Sequence, residues 1–280
     1  MSDEQKSGVV GGNYRWVGNN TRRPDGVDKV TGRARYGDDM VLPGMLHMRM
    51  LRSPHAHAKI LSIDTSEAEA IKGVKAVVTH NDVPDHPPAK PPFGPAVSDF
   101  YDLSRNIMAR EKVLYDGHAV AAVAATTESI AKRALRKIKV EYDILPHVLD
   151  PYEAVQAGAP ILHEHQFTLG VEPKPKEPSN LFRTLGGEQG DLVRGFENSD
   201  LIIEREFSSQ PVHQGYIEPL ACVASSSEDG AVELWTSTQG HFVARTLLSR
   251  LLNLDMSKFR ITASEIGGGF GGKTTIYHEP

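Results

Sequence analysis

The chain has 280 residues, 39% hydrophobic and 24% charged, with a formal net charge of −5. This is the composition of an ordinary globular protein with room for roughly two domains. The acidic balance gives no reason to expect nucleic acid, and no apolar run is long enough to span a bilayer.

Residues 1–20, rich in Gly and Asn, read as a loose arm. Their polar start, MSDEQKSG, lacks the apolar region of a secretory signal, and the pair Arg22-Arg23 is followed by PDGVDKVTG rather than an apolar stretch. The expectation is a cytoplasmic protein with no membrane contact. The stretch RRPDGVDKVTGRARYGDDM is dense in turn formers and should run over a surface. In LHMRMLRSPHAHAKILSID, Leu46, Met48 and Met50 alternate with His47, Arg49 and Arg52, which predicts a half-buried strand. TSEAEAIKG predicts a short helix that Thr65 or Ser66 caps and Gly73 ends, and VKAVVTHNDV another strand. From Pro84 to Pro95 the prolines exclude helix and central strand, leaving a long surface loop.

HAVAAVAAT then reads as a buried strand. ESIAKRALRKIK reads as a helix with Ile130, Ala131, Ala134, Leu135 and Ile138 on one face and a solvated Lys/Arg face opposite, and VEYDILP as a strand. Residues 21–150 therefore form an α/β domain with at least one β-α-β unit. Residues 151–185, rich in proline and turn formers, read as a linker. A second domain over 186–280 starts with a strand in DLIIEREFSSQPVHQ. It continues with the strand GAVELWTSTQG, an amphipathic helix HFVARTLLSRLLNL (Val243, Leu247, Leu248, Leu251) and the strand FRITASEIG. The fold class is α/β, or α+β. Cys222 is the only cysteine, so the chain holds no intrachain disulfide and no cysteine-ligated iron–sulfur cluster. In EPLACVAS it reads as a small buried hydrophobe.

The chemistry concentrates at the end, in EIGGGFGGKTTIYHEP. Gly267 to Thr274 fits the phosphate-loop spacing G-x-x-x-x-G-K-[ST], but a phosphate loop opens a helix, and TTIYHEP is β-branched and ends in proline. If the two strands of the second β-α-β are parallel, Gln239 and Gly267 stand side by side at their carboxyl edge, where open α/β sheets place ligands. Glycines there let backbone N–H groups wrap an anion closely.

STQGHF followed by EIGGGFGGK resembles the molybdenum-cofactor-binding large subunit of the xanthine dehydrogenase and aldehyde oxidase family. TRRPDGVDKVTGRARYGDD and LHMRMLRSPHAHAKI resemble the start of that family's hammerhead domain, and QPVHQGYIEPLACVA is similar to the segment before its cofactor loop. The resemblance implies a hammerhead-type domain followed by the first part of a molybdopterin-binding domain. It implies that Gln239 contacts the metal end of a molybdenum-molybdopterin cofactor, plain or in cytosine dinucleotide form, with Gly240, Gly268, Gly269, Phe270, Gly271 and Gly272 around it. Lys273, Thr274 and Glu218 are then expected at the substrate pocket, with no protein-ligated metal.

The implied reaction is oxidative hydroxylation of a small molecule (an aldehyde, N-heteroaromatic or CoA thioester) with oxygen from water. Electrons leave through [2Fe-2S] clusters and FAD on partner subunits. Xanthine-oxidising members place a glutamate directly after the loop lysine, where this chain has Thr274. The family's catalytic base lies near the end of a much longer subunit, so the expectation is an N-terminal half completed by a C-terminal-half molybdopterin subunit. The rest of that expectation is a strand FRITASEI that forms a partner-facing edge, and no tight cofactor binding by this half alone. The alternative is a non-catalytic scaffold completing a partner's pocket.

Other residues have plainer readings. Glu218 is structural or pocket-lining before it is a base, Tyr216 and His213 line a channel or simply pack, and Lys273 neutralises a phosphate or caps the loop. Met45, Met48 and Met50 are core. The pairs His55/His57 and His163/His165 have i, i+2 spacing that suits a metal, but neither has a third ligand in sequence.

Overall fold

The structure, a computed structural model, describes residues 16–88 and 99–276. The loop expected over residues 84–95 falls partly outside these; residues 84–88 are irregular. A helix α1 (Gly26–Thr31), ended by Gly32 in a left-handed conformation, precedes the first sheets.

The first unit holds six strands: β1 (His47–Arg52), β2 (Ala58–Asp64), β3 (Val74–Thr79), β4 (Lys112–Val113), β5 (Ala119–Ala125) and β6 (Lys139–Ile144). They form two three-stranded sheets, β1-β5-β3 and β4-β2-β6. Its helices are α2 (Ser66–Glu69), α3 (Phe100–Ile107) and α4 (Glu128–Leu135). The centre is β5, whose AVAAVAA run is almost wholly buried. Its alanines leave room on one face for α2 and α4, where Ala121, Val123 and Ala125 meet Ala68, Ala131, Ala134 and Ile138. On the other face Val120 packs with Ala58 and Val113 of the second sheet and with Ala109, which precedes β4.

Every strand pair in this unit is antiparallel. The expected β-α-β unit is therefore absent, because the connections through α2 and through α4 each step from one sheet to the other. The face of β1 is also the reverse of the expected one. Leu51 packs into the helix-side core and Arg49 pairs with Glu128 of α4, so Met48, two residues from Met50 on the opposite face, stays 46% exposed. The basic face of α4 is solvated as expected, with Lys132 and Arg49 on Glu128.

The linker region contains α5 (Pro151–Ala154), and α6 (Leu192–Glu197) follows it. No strand forms over 200–215. Ile202, Ile203 and Phe207 are exposed, and no neighbouring strand among the described residues offers the hydrogen-bond ladder that an alternating pattern needs. The second unit's sheet is β7 (Cys222–Ser226), β8 (Val232–Thr236) and β9 (Phe259–Ala263), in the order β7-β8-β9. β8 and β9 are parallel, which meets the condition for Gln239 and the loop to share an edge, and are joined by α7 (His241–Leu251), the helix that the hydrophobic pattern predicts. Leu247, Leu248 and Leu251 are buried with Leu234, Phe259 and Ile276, but Val243 is 49% exposed and Ala244 takes its place in the core.

Helix α3 is absent from the sequence-based expectations, yet it joins the two units. Asp99 caps it by accepting from Asp102 N at 2.8 Å, and Phe100, Leu103 and Ile107 pack against the core around α7. Their i, i+3, i+7 spacing is a helical stripe. No helix among the described residues is long and apolar enough to cross a membrane.

Gly73 ends the α2 connection at φ 98°, and a Cβ there would lie 2.7 Å from Ile130 Cδ1 and 2.9 Å from Thr126 Oγ1. Gly73→Ala should lower unfolding stability by about 1–3 kcal/mol through left-handed strain and crowding, measured by urea denaturation; a change within about 0.5 kcal/mol would contradict this packing.

Candidate functional site

The parallel pair β8 and β9 brings Gln239 and the glycine loop together at one sheet edge. Gln239 N donates to Lys273 O at 2.8 Å, tying the exit of β8 to the end of the loop. The Gln239 side-chain oxygen accepts from Gly271 N at 3.1 Å and Lys273 N at 3.2 Å. With the oxygen held inward, the amide NH2 of this exposed side chain is the group left to face a ligand.

The loop's glycines are required by close approach. A Cβ on Gly269 would sit 2.5 Å from Gln239 Oε1, one on Gly267 2.6 Å from Glu218 Cβ, and one on Gly272 2.8 Å from Tyr216 Cε1. Gly268 and Gly271 have φ of 100° and 89°, and Phe270, between Gly269 and Gly271, has φ 49° and is 72% exposed. Gly240 precedes α7 as its N-cap residue.

The pairing of the loop's N–H groups is uneven. Gly267 N donates to Glu218 Oε2, Gly272 N to Gly269 O, and those of Gly271 and Lys273 to Gln239. The N–H groups of Gly268, Gly269 and Phe270 have no partner among the described residues. Gly269 is buried. An unpaired donor at buried backbone is costly and rare; Gly268 is half-buried and Phe270 exposed beside it, and three such donors in succession suit an anion-binding nest.

Beneath the loop lies an ion pair. Lys273 is 0% exposed; its Nζ donates to Glu218 Oε2 at 2.8 Å and to Glu218 O at 3.0 Å, 4.8 Å from the centre of the Tyr216 ring. Glu218 Oε1 accepts from Gly37 N at 3.2 Å. Lys273 and Glu218, expected at the substrate pocket, are thus spent on each other and on the backbone, so neither presents a free charge. Thr274 is exposed, and its hydroxyl donates to Gly271 O. Tyr216 packs under Gly268 and Gly272, with His213 edge-on to its ring at 4.6 Å.

Three contributors carry no sequence signal: Lys29, Tyr36 and Gly37. Rather than only running over a surface, their segment docks on the loop unit. Tyr36 bridges Glu265 in parallel, Arg35 O accepts from Glu265 N at 2.9 Å, and Lys29 pairs with the Glu265 carboxylate. A pairing over more than 200 residues leaves no local signal. The Glu265 carboxylate holds the Lys29 ammonium above its ordinary pKa, with burial opposing.

The two histidine pairs differ. His57 is buried with Nδ1 donating to Pro146 O at 2.7 Å, and His55 stacks edge-on against Tyr142. His163 and His165 converge on Asp102.

The chain is similar to known proteins over both units. Residues 31–146 match the aldehyde oxidase and xanthine dehydrogenase a/b hammerhead domain, and residues 173–280 the molybdopterin cofactor-binding domain. A probable xanthine dehydrogenase subunit of Bacillus subtilis is 36% identical over 258 residues, 92% of this chain and 32% of that protein. The carbon monoxide dehydrogenase large chain of Afipia carboxidovorans is 34% identical over 264 residues, 93% of this chain and 32% of that one. A crystal structure of the Cu,Mo-CO dehydrogenase superposes with a TM-score of 0.75 at 31% identity, covering 92% of this chain and 32% of that one. The chain spans about a third of the length of these relatives.

Breaking the buried pair from one side leaves a charge unpaired. Lys273→Met and Glu218→Gln should each cost about 3–5 kcal/mol in urea unfolding, the second because it leaves the buried ammonium without a counter-charge and turns an amide NH2 toward a backbone N–H; effects near zero in both would contradict the bracing. The Lys29 contribution should be complete below pH 10.5, its ordinary value, and fade as pH rises through the higher folded value. The stability difference between wild type and Lys29→Gln, followed across that range, checks the sign.

Proposed function

Because the chain belongs to the xanthine dehydrogenase and aldehyde oxidase family, we propose that its glycine loop and Gln239 form one wall of a molybdenum-molybdopterin pocket in an enzyme that hydroxylates a small molecule oxidatively. The carrying observation is the row of unpartnered N–H groups at Gly268, Gly269 and Phe270 beside the outward NH2 of Gln239. This donor set fits a group whose exposed end is a cluster of anionic oxygen or sulfur ligands, and the tight glycines allow close backbone approach.

When bound, the cofactor supplies the two-electron redox chemistry that adds water-derived oxygen to the substrate. The chain's own part is to hold and orient. Gln239 and the loop N–H groups donate to the ligand, Gly240 lets α7 begin directly behind Gln239, and the Glu218–Lys273 pair keeps the loop from collapsing onto its own carbonyls. Phe270, its ring turned outward, shields the site from water when the remainder of the pocket closes over it.

In this reading residues 21–150 and 186–280 are the two domains, with 151–185 between them, and residues 25–37 form a strap of the first lying on the second. The catalytic base and the other pocket wall come from the two thirds of the relatives' length that the chain does not span. [2Fe-2S] clusters and FAD on partner subunits carry the electrons away; within these 280 residues Cys222 alone cannot ligate a cluster. The enzyme works in the cytoplasm, with the pterin plain or as the cytosine dinucleotide. Thr274 supplies no carboxylate to grip a purine, which favours an aldehyde, an N-heteroaromatic or a CoA thioester over a xanthine held in that way.

Gln239→Glu and Gln239→Ala separate the two ends of the amide. In the complete enzyme, Gln239→Glu keeps an acceptor for Gly271 and Lys273 but loses the donor, so turnover should fall on the order of 10²-fold with molybdenum content retained. Gln239→Ala also frees the loop and should lower molybdenum content as well. Unchanged turnover in both would overturn the assignment.

A further inference from the structure

Outside the cofactor loop, the structure brings together three side chains with metal-ligand chemistry: Asp102 on the first turn of α3, and His163 and His165 in the linker. We infer that they form a binding site for a divalent cation of the zinc class. One ligand atom from each lies within 4.8 Å of the others. His165 Nε2 is 3.0 Å and His163 Nδ1 3.5 Å from Asp102 Oδ1. Two ligands each about 2.0–2.1 Å from a tetrahedral zinc stand about 3.3 Å apart, so these separations are those of neighbours on one coordination sphere.

The alternative is an ordinary histidine–aspartate hydrogen bond, and the geometry at His165 argues against it. Its Nε2 is buried and makes no hydrogen bond among the described residues, although Asp102 Oδ1 is only 3.0 Å away. The ring nitrogen and the carboxylate oxygen therefore do not point at each other. Lone pairs that converge on a third point have this relation.

The surroundings fix the ligands as outer groups of metal sites do. Gln166 Nε2 donates to Asp102 Oδ2 at 2.8 Å, leaving Oδ1 for the cation. The histidines sit on a turn closed by Gln166 N donating to His163 O at 3.0 Å, and Ser179 N donates to Gln166 O at 3.1 Å. Asp102 N is held by the Asp99 cap. The Tyr101 ring meets His165 edge-on at 4.4 Å. A cleft of about 770 Å³ opens beside the three ligands and leaves a fourth position for water. A cation here would staple the linker to α3, whose apolar residues anchor it in the core around α7.

The test is the zinc content and Zn K-edge absorption of the native enzyme, which iron and molybdenum do not obscure. After dialysis against trace Zn²⁺, about one equivalent should remain, with a first shell of nitrogen and oxygen at about 2.0 Å that includes two imidazoles. His165→Ala and Asp102→Asn should each lose that equivalent while molybdenum content is kept. The Zn²⁺-induced rise in thermal midpoint should vanish with it. A wild-type edge without imidazole scattering, or zinc retained in both variants, would overturn the site. If a variant does not fold, the wild-type edge alone decides.

Discussion

The buried pair between Lys273 and Glu218 is the contact on which the rest of the site depends. A fully buried ammonium is costly unless its hydrogen bonds are satisfied, and here one residue satisfies two of them with its carboxylate and its carbonyl. The same carboxylate accepts from Gly267 at the start of the loop and Gly37 from the N-terminal segment. One acidic residue thus fixes both ends of a seven-residue loop and fastens a distant strap to it. The loop can then hold Phe270 at positive φ and leave three N–H groups unpaired, a state that would otherwise relax toward internal hydrogen bonds.

The fold explains why these parts meet. β8 and β9 are parallel with α7 between them, so Gln239 and the glycine loop leave the sheet at the same edge. Helix α3 belongs to the first unit by sequence but to the second by packing, and His86 Nε2 adds a contact by donating to Leu251 O at 2.8 Å. The hammerhead unit therefore bears on the helix that starts immediately after Gln239.

Much of this is legible in the sequence. The run HAVAAVAAT announces a central strand because only small and β-branched side chains fit between helix and sheet. The Val-Glu-Leu-Trp-Thr strand, the leucine-spaced helix and FRITA announce the parallel unit that carries the site. What stays hidden is long-range. The antiparallel pairing of β1, β5 and β3 is not written in any local period, and the phase of β1 is reversed because Leu51, not Met48, meets α4. The 200–215 alternation looks like a strand, but a strand needs a neighbour. The roles of Lys273 and Glu218 escape a sequence reading for the same reason: 55 residues apart, nothing local shows that they neutralise each other. Helix α3 is findable, since Asp99 and the Phe100, Leu103, Ile107 stripe are a capped helix in plain view.

The central claim is that the unpaired donors of Gly268, Gly269 and Phe270 await the cofactor while their neighbours are already satisfied. Residue-resolved hydrogen exchange on the complete enzyme, with and without molybdenum cofactor, tests it most directly. The account predicts that those three amides gain strong protection on loading, while Gly271 and Lys273, already bonded to Gln239, change little. Equal protection along the whole loop, or none at Gly268 to Phe270, would contradict it.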